Sequence, residues 1–361
     1  MDIHQETKEA QAFFSAMLKP GTRAETIYNF ARKRNTEKSA IACPNGEEHA
    51  ALQYAAMTYS CASIHLSDAL TAQQHETLLI LSLMTAMEES SKDSWSYGSK
   101  LLYDLRIAGI TVTKEELIAF LAQEDNSLLG EGVWQRFCYA NEMALFLYAG
   151  RLLVRYFWLP DCTAPYTGKP IALPDLRQKH PVSALEELAV TYVPYYIGEQ
   201  NKAKLTRFLS WLRRSRFYEA ETEFSSEPGI VPVHTLHVIE HLVRLAKPST
   251  EADLGECVLA GLCHSLWVNS TARYGFGRKS MIMALEFFQD CLTERLASAL
   301  DAHPHVEAMN PYVGKQMMEQ PLGLFLHLAD TFATYQDTNS QEISTPPSGS
   351  PQQVNSQPEK S

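Results

Sequence analysis

Apolar residues return every three or four positions through five stretches of this chain: Leu78 to Met87, Leu117 to Leu121, Met143 to Leu153, Leu236 to Leu245 and Met281 to Leu292. That period places the apolar side chains of each stretch on one face of an α-helix. No run alternates with the period of two that a half-buried strand needs, so the fold class expected is all-α. Thr113-Lys114-Glu115-Glu116 and Ser183-Ala184-Leu185-Glu186 each put Glu three residues after a hydroxyl side chain. This is the capping-box spacing, and it predicts a helix start at Thr113 and another at Ser183.

The chain has 361 residues, more than twice a typical domain, so it can bury one large core or two modest ones. Proline punctuates Leu159 to Pro181 at positions 160, 165, 170, 174 and 181, and would interrupt any helix there. The expected organisation is an N-terminal helical region over 1–158, a Pro-rich connection over 159–181 and a helical domain over 182–337. A tail over 338–361, dominated by Ser, Pro, Gln and Asn, is too poor in aliphatic residues to offset the entropy of ordering it and is expected to be disordered. The most membrane-like run, Met143 to Pro160, is broken by Arg151 and Arg155 and predicts a buried helix.

With 42 acidic and 31 basic residues the net charge is -11, which disfavours nucleic acid as a partner over most of the surface. The local basic run Arg213-Arg214-Ser215-Arg216 reads as a solvated helix face. Seven scattered cysteines without a CxxC pair, and a start, Met1-Asp2-Ile3-His4-Gln5-Glu6, unlike a secretion signal, point to a reducing, cytoplasmic setting.

Candidate chemistry concentrates between Trp211 and Tyr335. His234, His237 and His241, spaced by three and then four, fall on one side of a helix expected to begin near Val233. His264 ends the apolar run Leu259-Ala260-Gly261-Leu262-Cys263, His303 and His305 follow Asp301, and Asp330 closes His327-Leu328-Ala329-Asp330. Imidazoles and a carboxylate together suit Zn, Fe, Mn or Ni. Against this stands the plainer reading that a His on an apolar helix is a core residue. His49, His65 and His75, in the N-terminal region, are read as separate polar residues.

The order of these elements resembles the HD superfamily of metal-dependent phosphohydrolases, all-helical proteins that surround a metal with a first His, a His-Asp doublet and a late Asp. His234 matches the first His, His264 the His of the doublet and Asp330 the late Asp. The likeness is greatest to a branch with a phrase like Arg216-Phe217-Tyr218-Glu219-Ala220 before the first His and one like Tyr274-Gly275-Phe276-Gly277-Arg278-Lys279-Ser280 after the doublet. That branch carries a further His before the late Asp, matched by His303 with His305 as second choice. The resemblance covers about a third of the chain. Two positions depart from it: Ser265 stands where the doublet has Asp, and Phe276 stands where the glycine phrase has His.

The resemblance therefore implies a degenerate HD-like domain with a site reduced to one divalent metal (Fe, Mn, Ni or Zn) held by His234, His264 and Asp330. The function expected is a non-catalytic binding or assembly module whose partner is a protein or a small phosphorylated ligand. The alternative is a single-metal phosphohydrolase acting on a nucleotide or other phosphoester. In that case Lys279 or Arg278 neutralises the phosphate and His303 or His237 protonates the leaving oxygen. A third reading, nucleic-acid processing, comes from related HD domains in nucleases and conjugative relaxases. Membrane insertion is not expected.

Overall fold

The structure, a computed structural model, describes residues 3–34, 40–42, 48–66, 70–89, 99–123, 141–157, 168–176, 178–221, 228–269, 275–304 and 321–344. Among these residues the fold is all-α, with a single antiparallel ribbon of two three-residue strands, β1 (Ala40–Ala42) and β2 (Glu48–Ala50), in which Ile41 pairs with His49. The N-terminal region holds α1 (Ile3–Met17), α2 (Arg23–Lys33), α3 (Ala51–His65), α4 (Ala72–Glu89), α5 (Ser99–Ile107), α6 (Lys114–Leu121) and α7 (Glu142–Phe157). The second region holds α8 (Pro181–Ile197), α9 (Lys202–Leu212), α10 (Ile230–Ala246), α11 (Glu251–His264), α12 (Phe276–Phe288), α13 (Glu294–Ala302) and α14 (Leu322–Ser344).

Local chemistry explains where several helices begin. At α6 the expected capping box is present: the Thr113 hydroxyl accepts from the Glu116 amide at 3.2 Å, and the Glu116 carboxylate accepts from the Thr113 amide at 2.8 Å. At α8 the expectation is corrected. The helix starts at Pro181, not Ser183, and no side chain caps it. Proline lacks the N–H that a first helical turn leaves unpaired and its φ is already helical, so Pro181 opens the helix instead of ending the connection.

The tail boundary also moves. α14 continues past Thr338 to Ser344 because Thr338 Oγ1 donates to the Thr334 carbonyl and Asn339 Nδ2 to the Tyr335 carbonyl, each at 2.8 Å. Polar side chains that bond back one turn remain compatible with a helix. Residues 345–361, which complete the expected tail, lie outside the described residues, as do 159–167 of the Pro-rich connection.

Both regions contribute to one continuous apolar core. α10 packs along α14, α11 against α8, and α3 against α4 and α7. Across the regions, Phe146 of α7 stacks on Phe332 of α14 with ring centroids 6.2 Å apart, and the Tyr148 hydroxyl donates to His327 Nε2 at 2.8 Å. Residues 143–157 of the Met143 to Pro160 run lie in α7, whose Met143, Leu145, Leu147 and Leu153 are buried. Among the described residues no helix is long and apolar enough to cross a membrane. In the basic run, the Arg213 guanidinium makes two bonds to Glu186 of α8, at 2.6 and 2.7 Å, so part of that charge is neutralised at the surface.

Candidate metal centre

Two helices meet here along one face. Gly229, in the left-handed region at φ 82°, releases the chain into α10, and the histidines at 234, 237 and 241 do share a side, as their spacing predicts. That side faces α14, and each imidazole finds a different arrangement there. His234 Nε2 lies 2.9 Å from Asp330 Oδ1 and its Nδ1 lies 2.8 Å from Asp337 Oδ2. His237 Nδ1 reaches Asp337 Oδ1 at 2.5 Å, and His241 Nε2 donates to Gln336 Oε1 at 2.8 Å. Of the three, His234 alone belongs, among the described residues, to a group that could grip an ion. His237 and His241 serve the contact between helices.

α11 supplies the second imidazole. Its start is fixed by a capping box of Thr250 and Asp253, and His264 is its last residue. A Cβ added to Gly261 would lie 2.3 Å from Ile239 Cγ1, so the glycine is what allows α11 to approach α10 this closely. The same residue orients the ligand: the Gly261 carbonyl sits 2.5 Å from His264 Nδ1 and can only accept, so Nδ1 carries the proton and Nε2 offers its lone pair. The Ser265 hydroxyl, 2.8 Å away, donates to that lone pair. One ligand atom each from His234, His264 and Asp330 lie within 4.8 Å of one another. Metal–ligand bonds of about 2.0–2.2 Å place neighbouring tetrahedral donors about 3.5 Å apart, so the trio fits one ion once its widest separation closes and the 2.9 Å His234–Asp330 pair opens slightly. His234 and His264 are buried, whereas the Asp330 side chain keeps 34% of its exposure, so solvent reaches the cluster from the Asp330 side.

The electrostatics separate the two imidazoles. Burial opposes charge on His234, but its bonds to Asp330 and Asp337 outweigh that and lift its pKa to about 9. His264 is pulled down to about 3 by burial, with the nearby charges of His234 and His303 adding to the effect. Burial works against ionised Asp330 and Asp337 as well, yet the hydrogen bonds from their histidines hold both below the usual carboxylate range. Near neutrality the group is therefore two carboxylates, one imidazolium and one neutral imidazole. A cation that displaces the His234 Nε2 proton finds a donor set of matching charge.

The remaining sequence candidates fall around this core. His303 is buried, its ring centroid 6.1 Å from that of His264, and its Nδ1 donates to the Leu300 carbonyl at 3.0 Å. It borders the trio without completing it. His305 lies outside the described residues. Lys279 occupies the first turn of α12, beside Ser280, whose hydroxyl donates to the His264 carbonyl at 2.8 Å. Arg278 turns to Asp301 of α13, at 3.2 and 3.4 Å.

Phe276 packs its ring on Trp267, with centroids 4.4 Å apart. Gly277 lies in the first turn of α12, where a Cβ would lie 2.4 Å from the Leu300 carbonyl oxygen, so this glycine lets α12 pack closely on α13. His327 spans Tyr148 and the His303 carbonyl, at 2.8 Å each, as a core residue. The N-terminal histidines are separate, as expected. His49 donates to Glu6, His65 packs on Phe325, and His75 hydrogen-bonds with Tyr59 beside a cavity of about 210 Å³.

Asp337 was not among the sequence candidates. Its signal is present in hindsight: it follows Asp330 by seven residues, two helical turns, and so shares that residue's face.

Comparison of the chain with protein-family models, with curated proteins and with solved structures found no match.

Proposed function

We propose that this protein is a degenerate HD-like helical domain that holds one divalent cation, Fe, Mn, Ni or Zn, on His234, His264 and Asp330. In this reading it serves as a binding or assembly module for a protein or a small phosphorylated ligand. The observation that carries the reading is the convergence within 4.8 Å of three ligand atoms from residues far apart in the chain, His264 lying 30 residues after His234 and Asp330 a further 66 after His264. Two imidazoles and a carboxylate are a three-ligand set of the kind that leaves a position open, and a bound cation would there polarise a phosphoryl oxygen. The exposed edge of Asp330 gives such an oxygen its approach. Among the described residues the two departures from the HD pattern argue against a second ion. The Ser265 hydroxyl is engaged with His264, and Phe276 packs tilted against Trp267.

A second reading, single-metal phosphoester hydrolysis, is favoured by one observation, the buried His303 against His264. An imidazole beside His264 is a side chain suited to give a proton to a leaving oxygen. The experiment that separates the readings is to load the purified chain with Mn2+, titrate it with inorganic phosphate, and then assay hydrolysis of a nucleoside monophosphate. Mn2+-dependent phosphate binding without turnover is the expected result. Turnover lost in His303→Ala moves the assignment to the hydrolase, and a chain that takes up no metal refutes both.

A further inference from the structure

Asp337 sits on the far side of His234 from the cluster. The two nitrogens of an imidazole point in divergent directions, so a carboxylate on Nδ1 cannot share an ion held at Nε2. Asp330 and Asp337 are seven residues apart on α14, about 10 Å along its axis, and the His234 ring is gripped between them at both nitrogens. Asp337 is itself fixed at its other oxygen by His237, one turn after His234 on α10. Its side chain is 1% exposed, and a buried carboxylate is tolerated only with such partners. His237 retains 20% exposure, so the arrangement runs from the cluster to the protein's edge.

Resting on the single-cation reading above, we propose that Asp337 is a positioning residue for that centre: it accepts the His234 Nδ1 proton, fixes the tautomer and ring plane, and so aims the Nε2 lone pair at the ion. Histidines that bind metals ordinarily donate their other ring N–H to a carboxylate or carbonyl, and loss of that partner costs 10- to 100-fold in affinity as a rough scale. His264 obeys the same rule through the Gly261 carbonyl. Both imidazoles of the centre are thus aimed by acceptors on their Nδ1 side, one a backbone oxygen and the other Asp337. A residue that merely ties α10 to α14 would change stability and leave the affinity for an ion untouched.

The test is Zn2+ affinity of the full chain, read by competition with a chromophoric chelator, for the native protein and Asp337→Ala, which removes the accepting oxygen. Alongside it, nitrogen-correlated NMR of histidine-labelled native protein reads the His234 tautomer in the Zn2+-loaded state. A 10-fold or greater loss of Zn2+ affinity in folded Asp337→Ala is expected as a rough scale, with His234 protonated at Nδ1 in the native protein. His237→Gln, which leaves Asp337 on His234, is expected to lose less than Asp337→Ala. If Asp337→Ala does not fold, the native NMR decides: a His234 unprotonated at Nδ1 overturns the proposal, as does unchanged affinity in the folded variant. Failure of the native protein to bind Zn2+ refutes the single-cation reading itself, a result distinct from native binding that Asp337→Ala leaves intact.

Discussion

Gly261→Ala places the closeness of α10 and α11 under direct strain. The added Cβ would fall 2.3 Å from Ile239 Cγ1, whereas carbon atoms rest at about 3.5–4.0 Å, so the helices must part by about 1.2 Å or rotate. Overpacking of this kind costs about 1–3 kcal/mol, and the better helix propensity of Ala returns about 1 kcal/mol, leaving a net loss of up to about 2 kcal/mol. The separation falls between the helices that carry His234 and His264, whose ligand atoms must contract to bind an ion. If about 1.4 kcal/mol of that strain opposes contraction, Zn2+ affinity falls about tenfold.

Gly255→Ala is the control. Its Cβ would lie 2.3 Å from the Tyr192 carbonyl oxygen, so it strains α11 against α8 instead. Urea unfolding and chelator competition on both variants should show stability lost in each and affinity lost in Gly261→Ala alone. Native stability and native affinity in Gly261→Ala would refute the claim that this packing sets the ligand spacing.

Ser265→Ala removes the hydroxyl that donates to His264 Nε2, the atom a cation must take. The metal-free protein should lose about 1 kcal/mol in denaturant unfolding while Zn2+ affinity rises several-fold; a fall in affinity would make Ser265 a helper instead of a competitor. A pH dependence follows from His65, whose pKa is pulled to about 4 by burial and by the charge of Lys247. Between about pH 4 and 6.5 the unfolded chain takes up this proton more readily than the folded one. The stability is therefore full above pH 6.5 and falls as the pH drops, by about 3 kcal/mol for this group. His65→Leu should flatten that part of the stability profile relative to the native chain, and an unchanged slope would show that His65 does not titrate as described.

The helical character of the chain was legible because period-3.6 burial is imposed by packing, and the stretches at 78–87, 143–153 and 236–245 all lie within helices. What misled was chemistry with two local solutions. Ser183 fits a cap, but Pro181 starts the helix first. Thr338 and Asn339 have the composition of a tail, but they bond back to α14.

At the site, His234, His264 and Asp330 were readable from their order, and the structure brings them together. The face shared by His234, His237 and His241 was also readable. That it meets a helix carrying Asp337 and Gln336 was not, because partners about a hundred residues away leave no mark in local periodicity. The role of Gly277 was hidden for the same reason, since it is set by the backbone of α13.

The central claim is that one cation is held between α10, α11 and α14. Elemental analysis of the full chain, purified after growth with Fe, Mn, Ni and Zn, tests it most directly. The prediction is close to one equivalent per chain, lost in His264→Ala with the helical signal intact. A metal-free native chain, two equivalents, or one equivalent retained by His264→Ala would contradict the account.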